Sequence, residues 1–356
     1  MFNFTSAYTR KKYYQIISAF IFILTGILGC DFGPVESSID TNNTKQGPYS
    51  VFVETFDGGV TWSEVDTLRF AKELRAGAFG FASNIFVVGG QDTLGKGAIW
   101  QSLDNGLHWT NVLTTEATIF SDIAVTSNFK MIAVNNEGRI FLSTNDGTTW
   151  NIITTAPNTL NSVSFTPTYG VAVGNAGTIL VSYNEGFNWT IKTSPTTESL
   201  FAVHCFGDTS VGVGSNGVYV MSTDAGVTWT EFNFNSTKIF ITVDFSEEQN
   251  GRYGIAAGYD NTIFKTTTGA MNWKSLSSKM PGFGNIEDLH AAADGKCIAA
   301  YYDTGAKTVG SQFIYSTDRG ETWSDPDVIE DAYIYKMVFR TFPAGYGFAV
   351  GNQIQN

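Results

Sequence analysis

The sequence predicts an all-β chain: a seven-bladed β-propeller of four-stranded antiparallel blades, closed by pairing of its N- and C-terminal strands. Three observations predict it. One eight-residue pattern ending in tryptophan returns seven times after residue 48. Successive copies lie 47, 41, 39, 40, 44 and 50 residues apart, the length of one four-stranded blade. The two chain ends, finally, carry complementary halves of one further unit.

The copies are TFDGGVTW ending at Trp62, SLDNGLHW at Trp109, STNDGTTW at Trp150, SYNEGFNW at Trp189, STDAGVTW at Trp229, TTTGAMNW at Trp273 and STDRGETW at Trp323, which together use seven of the eight tryptophans. The pattern describes a hairpin turn. A short Asp or Asn side chain accepts hydrogen bonds from nearby amides, and the glycine takes a φ that a Cβ resists. The tryptophan buries a large apolar face against the blade. Asp57, Asp104, Asn145, Asn184, Asp224 and Asp318 therefore have folding roles and are not catalytic. The sixth copy departs, with Thr268 at the Asp position and Gly269 before Ala270, so its turn is expected to be rebuilt.

Each copy is preceded by two strand signals, such as LNSVSF and GVAVGNAGTILVS in the fourth, LFAVHCF and SVGVGSNGVYVMS in the fifth, and FITVDF and YGIAAGYDNTIFKT in the sixth. Alternating and β-branched residues bounded by glycine read as packed strands. No stretch after residue 48 has helical periodicity. The last segment, IYKMVFRTFPAGYGFAVGNQIQN, supplies two strands and no turn pattern, whereas SVFVETFDGGVTWSEV supplies a third and fourth strand with no preceding pair. Residues 333 to 354 should therefore pair with residues 49 to 66, removing the edges an open sheet would expose.

The octamer resembles the Asp-box, or BNR, repeat of sialidases, sortilin-type receptors, some endoglucanases and the photosystem II stability/assembly factor family. The resemblance covers essentially all of residues 49 to 356, and the blade arrangement, repeat length and GxAVGxxG strand look most like the last of these. In its photosynthetic members an arginine-rich patch engages partner proteins. This chain is arginine-poor and acidic, so only the general idea carries over, a propeller presenting loops to a partner.

Ahead of the propeller, Arg10, Lys11 and Lys12 precede an apolar run from Ile16 to Leu28, too short for a comfortable membrane span and suited to an export signal. It closes on Ile27-Leu28-Gly29-Cys30, which resembles the bacterial lipobox and implies cleavage before an acylated Cys30. The expected organisation is a signal peptide at 1–29, lipidated Cys30 and a polar, turn-rich tether at 30–48, and the propeller at 49–356. Removing residues 1–29 leaves 18 basic against 33 acidic residues, a charge of about −15. That charge disfavours nucleic acid and leaves membrane association to the lipid. Cys205 and Cys297 fall in the fifth and seventh blades, which are not neighbours, and are expected to be separate buried thiols.

Aligning the repeats places Gly80, Ala124, Ser164, His204, Asp244, His290 and Val338 at one position of the innermost strands. Ser164, His204, Asp244 and His290 thus form a candidate axial polar cluster. It is able to hold a metal through His204, Asp244 and His290 or to bind a polar ligand, or else simply hydrogen-bonds between blades. His108 replaces the Thr of a box and reads as surface structure.

The sialidase resemblance implies an arginine triad clamping a carboxylate. Only Arg69, Arg75, Arg139, Arg252, Arg319 and Arg340 follow residue 30, and neither an early Arg-Ile-Pro signature nor a Tyr/Glu pair is identifiable. A glycosidase needs two opposed carboxylates. Glu73, Asp122, Asp244, Glu287 and Asp288 lie near the strand starts where clefts form, in a chain where acids are common.

The expectation is a non-enzymatic binding or assembly module with no cofactor and no metal. It would be monomeric, anchored by lipid at a bacterial cell envelope on the periplasmic face or outer surface, and have a protein or glycan partner. The alternative is a carbohydrate-active enzyme, a sialidase-like glycoside hydrolase.

Overall fold

The computed structural model describes residues 49–354 except 64–65, 83, 117, 247–250, 282–283, 293–294, 304–309 and 341–344. Residues 1–48, on which the expected signal peptide, Cys30 and the expected tether fall, lie outside the described residues. The rest forms seven four-stranded antiparallel sheets. From inner to outer strand, blade 1 comprises Ala332–Phe339, Gly347–Gln353, Ser50–Thr55 and Asp66–Leu68. Blade 2 comprises Ala71–Phe79, Phe86–Asp92, Gly97–Ser102 and Thr110–Thr114, and blade 3 Phe120–Val125, Met131–Asn135, Arg139–Ser143 and Asn151–Thr155. Blade 4 is Leu160–Phe165, Gly170–Gly174, Ile179–Ser182 and Thr190–Ile191. Blade 5 is Leu200–Phe206, Thr209–Gly214, Val218–Ser222 and Thr230–Asn233. Blade 6 is Phe240–Phe245, Gly254–Gly258, Ile263–Thr266 and Lys274–Ser275, and blade 7 Gly284–Ala291, Cys297–Asp303, Gly310–Ser316 and Asp327–Glu330.

Each inner strand touches the inner strands of both neighbouring blades, so the ring is closed. Closure uses the two chain ends as expected: Ser50–Thr55 pairs with Gly347–Gln353 from Ser50 opposite Asn352 to Thr55 opposite Gly347.

Seven apolar clusters fill the ring, each between two adjacent sheets. The box tryptophans belong to these seams. Trp62 packs with blades 7 and 1, Trp109 with 1 and 2, Trp150 with 2 and 3, and Trp189 with 3 and 4. Trp229, Trp273 and Trp323 continue the series between blades 4 and 5, 5 and 6, and 6 and 7. Each therefore packs toward the blade before its own, not only against its own sheet as the sequence suggests. Trp62, for example, stacks on Phe313 of blade 7 with centroids 4.0 Å apart.

The box turns follow one hydrogen-bonding scheme. In blade 5 the Thr228 amide and hydroxyl donate to the Asp224 carboxylate at 2.9 and 2.6 Å, and the Gly226 amide donates to Ser222 Oγ at 2.9 Å. Equivalent amide bonds end on Asp57, Asp104, Asn145, Asn184 and Asp318. The indole N–H groups of Trp109, Trp150, Trp189 and Trp229 donate to the box-glycine carbonyls.

The sixth turn is not rebuilt. Thr268 Oγ1 accepts the Asn272 amide at 3.0 Å and Thr266 Oγ1 accepts the Ala270 amide at 3.2 Å. A hydroxyl does the carboxylate's work, and Ala270 takes the glycine's place at φ 67°.

All boxes follow third strands, which defines a box face. The opposite, mouth face holds the starts of the inner and third strands, and with them Tyr49, whose carbonyl accepts the Gln353 amide at 2.7 Å.

Candidate functional site

Every inner strand carries a β-bulge at the same register, between residues 74 and 76, 120 and 122, 160 and 162, 200 and 202, 240 and 242, 286 and 288, and 334 and 336. A bulge adds one unpaired residue and re-aims side chains. Here the seven additional residues are Arg75, Ser121, Asn161, Phe201, Ile241, Glu287 and Tyr335, and all of them line one axial cavity of about 790 Å³. They form a mouth with three sectors. Phe201 and Ile241, with Ile239 beside them, make an apolar side; Ser121 and Asn161 a neutral polar side; Glu287, Tyr335 and Arg75 a charged, phenolic side.

The charged sector is internally paired. The Arg75 guanidinium lies 3.2 Å from Glu73 Oε1 and sits over the Tyr335 ring at 4.6 Å. Tyr333 donates its hydroxyl hydrogen bond to Glu287, and its ring packs against Tyr335 and Tyr302 at 4.9 and 5.1 Å. Burial raises the Glu287 pKa against the opposing pull of Tyr333 and Arg75, and burial together with Glu287 raises that of Tyr333. This Tyr/Glu pair was invisible in the sequence, where its members stand 46 residues apart.

Below the mouth lies a tier of Ala76, Asp122, Ser162, Ala202, Thr242, Asp288 and Lys336, the residues that follow the bulges. Lys336 of blade 1 reaches past the small Ala76 of blade 2 to Asp122 of blade 3, Nζ to Oδ1 3.5 Å. Burial alone would lower the Lys336 pKa, but the carboxylates of Asp122, Asp288 and Asp244 raise it. Asp122 also accepts Ser162 Oγ and the Val163 amide, each at 3.0 Å. Asp288 accepts Thr242 Oγ1 at 3.0 Å and the Met337 amide at 2.7 Å, and burial raises its pKa.

Two residues further along stands the tier expected from the repeat alignment. Its blade 2 member is Ala78, opposite Val87, just as Ser164 is opposite Val171 and His204 opposite Val211. Gly80 lies two residues further on, beyond the strand, where its amide donates to the Ile85 carbonyl at 2.9 Å.

Within this tier the structure brings three of the four residues together. His204 Nδ1 is 2.8 Å from Asp244 Oδ1, and His290 Nδ1 is 2.9 Å from Asp244 Oδ2, which also accepts the Ala291 amide at 2.8 Å. Burial would raise the Asp244 pKa, yet the two imidazoles hold it well below the usual carboxylate range. His290 stacks on Phe339 at 4.6 Å. Ser164 does not join the histidines; its hydroxyl accepts the Cys205 amide at 3.0 Å. Among the described residues no group of three His, Cys, Asp or Glu side chains is arranged to hold a metal ion. Both histidine Nδ1 atoms are spent on the carboxylate that would have been the third ligand.

Of the other residues singled out, His108 is exposed and pairs with Asp104 on the box face. Cys205 and Cys297 are buried, unbridged thiols whose pKa values burial pushes up to about 11.

Comparison with known proteins bears on the fold. The model of the BNR/Asp-box repeat matches residues 314–325, across the seventh box. No curated protein matches the sequence. Among solved structures the chain is similar to YCF48 from Cyanidioschyzon merolae, with a TM-score of 0.59 and 18% identity over 79% of this chain and 95% of that one. It is also similar to YCF48 bound to a D1 peptide, with a TM-score of 0.58 and 15% identity over 88% and 99%.

Proposed function

We propose that the chain is a non-enzymatic binding module, tethered to a bacterial envelope membrane through acylated Cys30, whose axial mouth receives a segment of a protein partner. The observation that carries this reading is the three-sector bulge ring. An apolar wall at Phe201 and Ile241 faces amide, hydroxyl and phenolic groups across one opening, the mixture that an extended peptide needs to seat a side chain and satisfy its backbone. The ionised groups beneath it are already paired, Asp244 by two imidazoles and Lys336 by Asp122. They stabilise the ring more readily than they exchange protons with a substrate. The similar fold of YCF48 was solved with a D1 peptide, which supports a polypeptide occupant over a glycan one.

The test is a photo-crosslinking residue at Ile241 in the full-length, membrane-borne chain, with Ile152 on an outer strand as control. A polypeptide adduct at the mouth and none at the rim is expected; equal labelling at both positions overturns the reading. For the anchor, Cys30→Ser should move the protein from the membrane to the soluble fraction, and a variant that still pellets with lipid refutes acylation.

One observation favours the carbohydrate-active alternative, the Tyr333 and Glu287 pair beside Arg75. Hydrolysis of aryl glycosides or sialosides by the purified protein, abolished by Tyr333→Phe, would establish it in place of the module.

A further inference from the structure

Within the axial mouth, we propose that the charged sector around Glu287 is a seat for a basic side chain, so that the partner segment enters with a lysine or arginine leading. The inference deepens the polypeptide reading and rests on it for the nature of the carrier chain. The seat itself is read from the cavity wall.

Glu287 is the residue that points to it. The bulge of blade 7 delivers this side chain to the mouth, where it lines the cavity and yet is only 9% exposed. Its Oε1 accepts the Tyr333 hydroxyl, and among the described residues no hydrogen bond ends on Oε2. Arg75 is near enough to pull the Glu287 pKa down, but burial outweighs that pull. The guanidinium is already given to Glu73, with Nε and Nη2 at 3.2 and 3.4 Å from its two carboxylate oxygens. A carboxylate at this depth with one bare oxygen lacks the counter-ion that burying a charge demands.

The surroundings suit a cation. The rings of Tyr333 and Tyr335 stand 4.9 Å apart beside Glu287, and burial together with Glu287 raises the pKa of Tyr259, which also lines the opening. Phenol faces attract ammonium and guanidinium groups. The sector already does so once, since Arg75 lies over Tyr335 at 4.6 Å. In the next blades round the ring, Ile241 and Phe201 form the apolar wall. The methylene stem of a long basic side chain would lie along that wall with its charged head at Glu287.

Charge also decides the sign of the occupant. The cavity is lined by the carboxylates of Asp122, Asp244, Glu287 and Asp288 against the permanent cations Arg75 and Lys336, an excess of two formal negative charges. Lys336 shows what that excess does to an ammonium: burial opposes its charge, yet the surrounding carboxylates hold its proton more firmly than usual. An anionic side chain would meet the same field uncompensated. The chain as a whole carries −12, which extends the bias outward and steers basic segments toward the mouth.

The experiment titrates the full-length chain in detergent with labelled short peptides identical except at one central residue, lysine, norleucine or glutamate, and follows fluorescence anisotropy. The lysine peptide should bind about tenfold or more tighter than the norleucine peptide, the worth of one charge-assisted hydrogen bond, and the glutamate peptide should bind most weakly. This ranking on the wild type needs no variant. Glu287→Gln should abolish the lysine preference, with circular dichroism checking that its sheets remain, whereas Glu231→Gln, which removes the same charge from an outer strand, should keep it. Equal affinity for lysine and norleucine, or a lysine preference that survives Glu287→Gln, overturns the proposal. A glutamate peptide that binds best also overturns it and assigns the sector to Arg75 and an anionic ligand. Free n-butylammonium should compete only weakly; if it binds as tightly as the lysine peptide, the seat belongs to free amines and not to a side chain. A polypeptide adduct at Ile241 together with a flat peptide ranking removes the basic seat and leaves the binding module. No adduct and no peptide binding removes both.

Discussion

The box turns and the inner-strand bulges each occur seven times, but the boxes repeat their residues while the bulges repeat only their geometry. A box solves the same local problem in every blade, so Ser, Asp, Gly and Trp return with it, and even the sixth copy reaches the same hydrogen bonds with Thr266 and Thr268. A bulge merely delivers a side chain to the axis, and the seven delivered residues run from Arg75 through Phe201 to Glu287. Identity at equivalent positions marks what the fold requires; diversity at equivalent positions marks where the fold leaves room for recognition.

That contrast can be broken by mutation. The largest loss is expected from Trp150→Ala, because this indole is 9% exposed in the seam of blades 2 and 3. About 3–5 kcal/mol should disappear in denaturant unfolding, and a loss under ~1 kcal/mol would show that the box residues are decoration. Gly186→Ala comes next. At φ +87° a new Cβ would sit 2.8 Å from Ile132 Cγ1 of blade 3, combining left-handed strain with overpacking for about 2–4 kcal/mol. Ala270→Gly, at the same box position, should change stability by less than about 1 kcal/mol; equal effects at the two sites would refute the shared turn geometry.

On the axis, Asp244→Asn should cost roughly 1–3 kcal/mol at pH 7, since one amide cannot accept from both imidazoles. The folded Asp244 pKa lies below its unfolded value, which is about 3.9. Its contribution is therefore complete above about pH 4 and is lost as pH falls toward the folded pKa. The gap between wild type and variant should shrink by about 1.4 kcal/mol per unit below pH 4. A gap constant from neutrality to pH 3 would remove Asp244 from the tie between blades 5, 6 and 7. The smallest effect is expected for Asp224→Asn, whose carboxylate is held at about pKa 2 by Thr228 and Ser222. Blades 3 and 4 already use Asn there, so its melting temperature at pH 7 should match wild type.

Spacing and turn chemistry made the blades, their number and the closing sheet legible, because these depend on short-range signals and on which half-unit is missing at each end. The axial cluster was half legible. His204, Asp244 and His290 align by simple counting, but in blade 2 the count reaches Gly80 instead of Ala78; its inner strand, Ala71–Phe79, is longer and carries an additional bulge between residues 71 and 73 that residue type does not mark. Lys336 reaching Asp122 and Tyr333 meeting Glu287 depend on how small Ala76 is and on where neighbouring sheets meet. Neither distance is encoded within one repeat. The placement of each tryptophan toward the preceding blade was hidden for the same reason, since a single repeat does not contain its neighbour.

The sheet that mixes both chain ends also sets a timetable. Ser50–Thr55 precedes every other described strand in sequence and bonds on its inner side to Gly347–Gln353, which follows them all. Until that late partner arrives the earliest strand keeps a bare edge and the ring stays open. Sealing of the ring therefore waits for the strand Gly347–Gln353, and loss of that strand would leave an otherwise finished set of six blades with an unsealed gap.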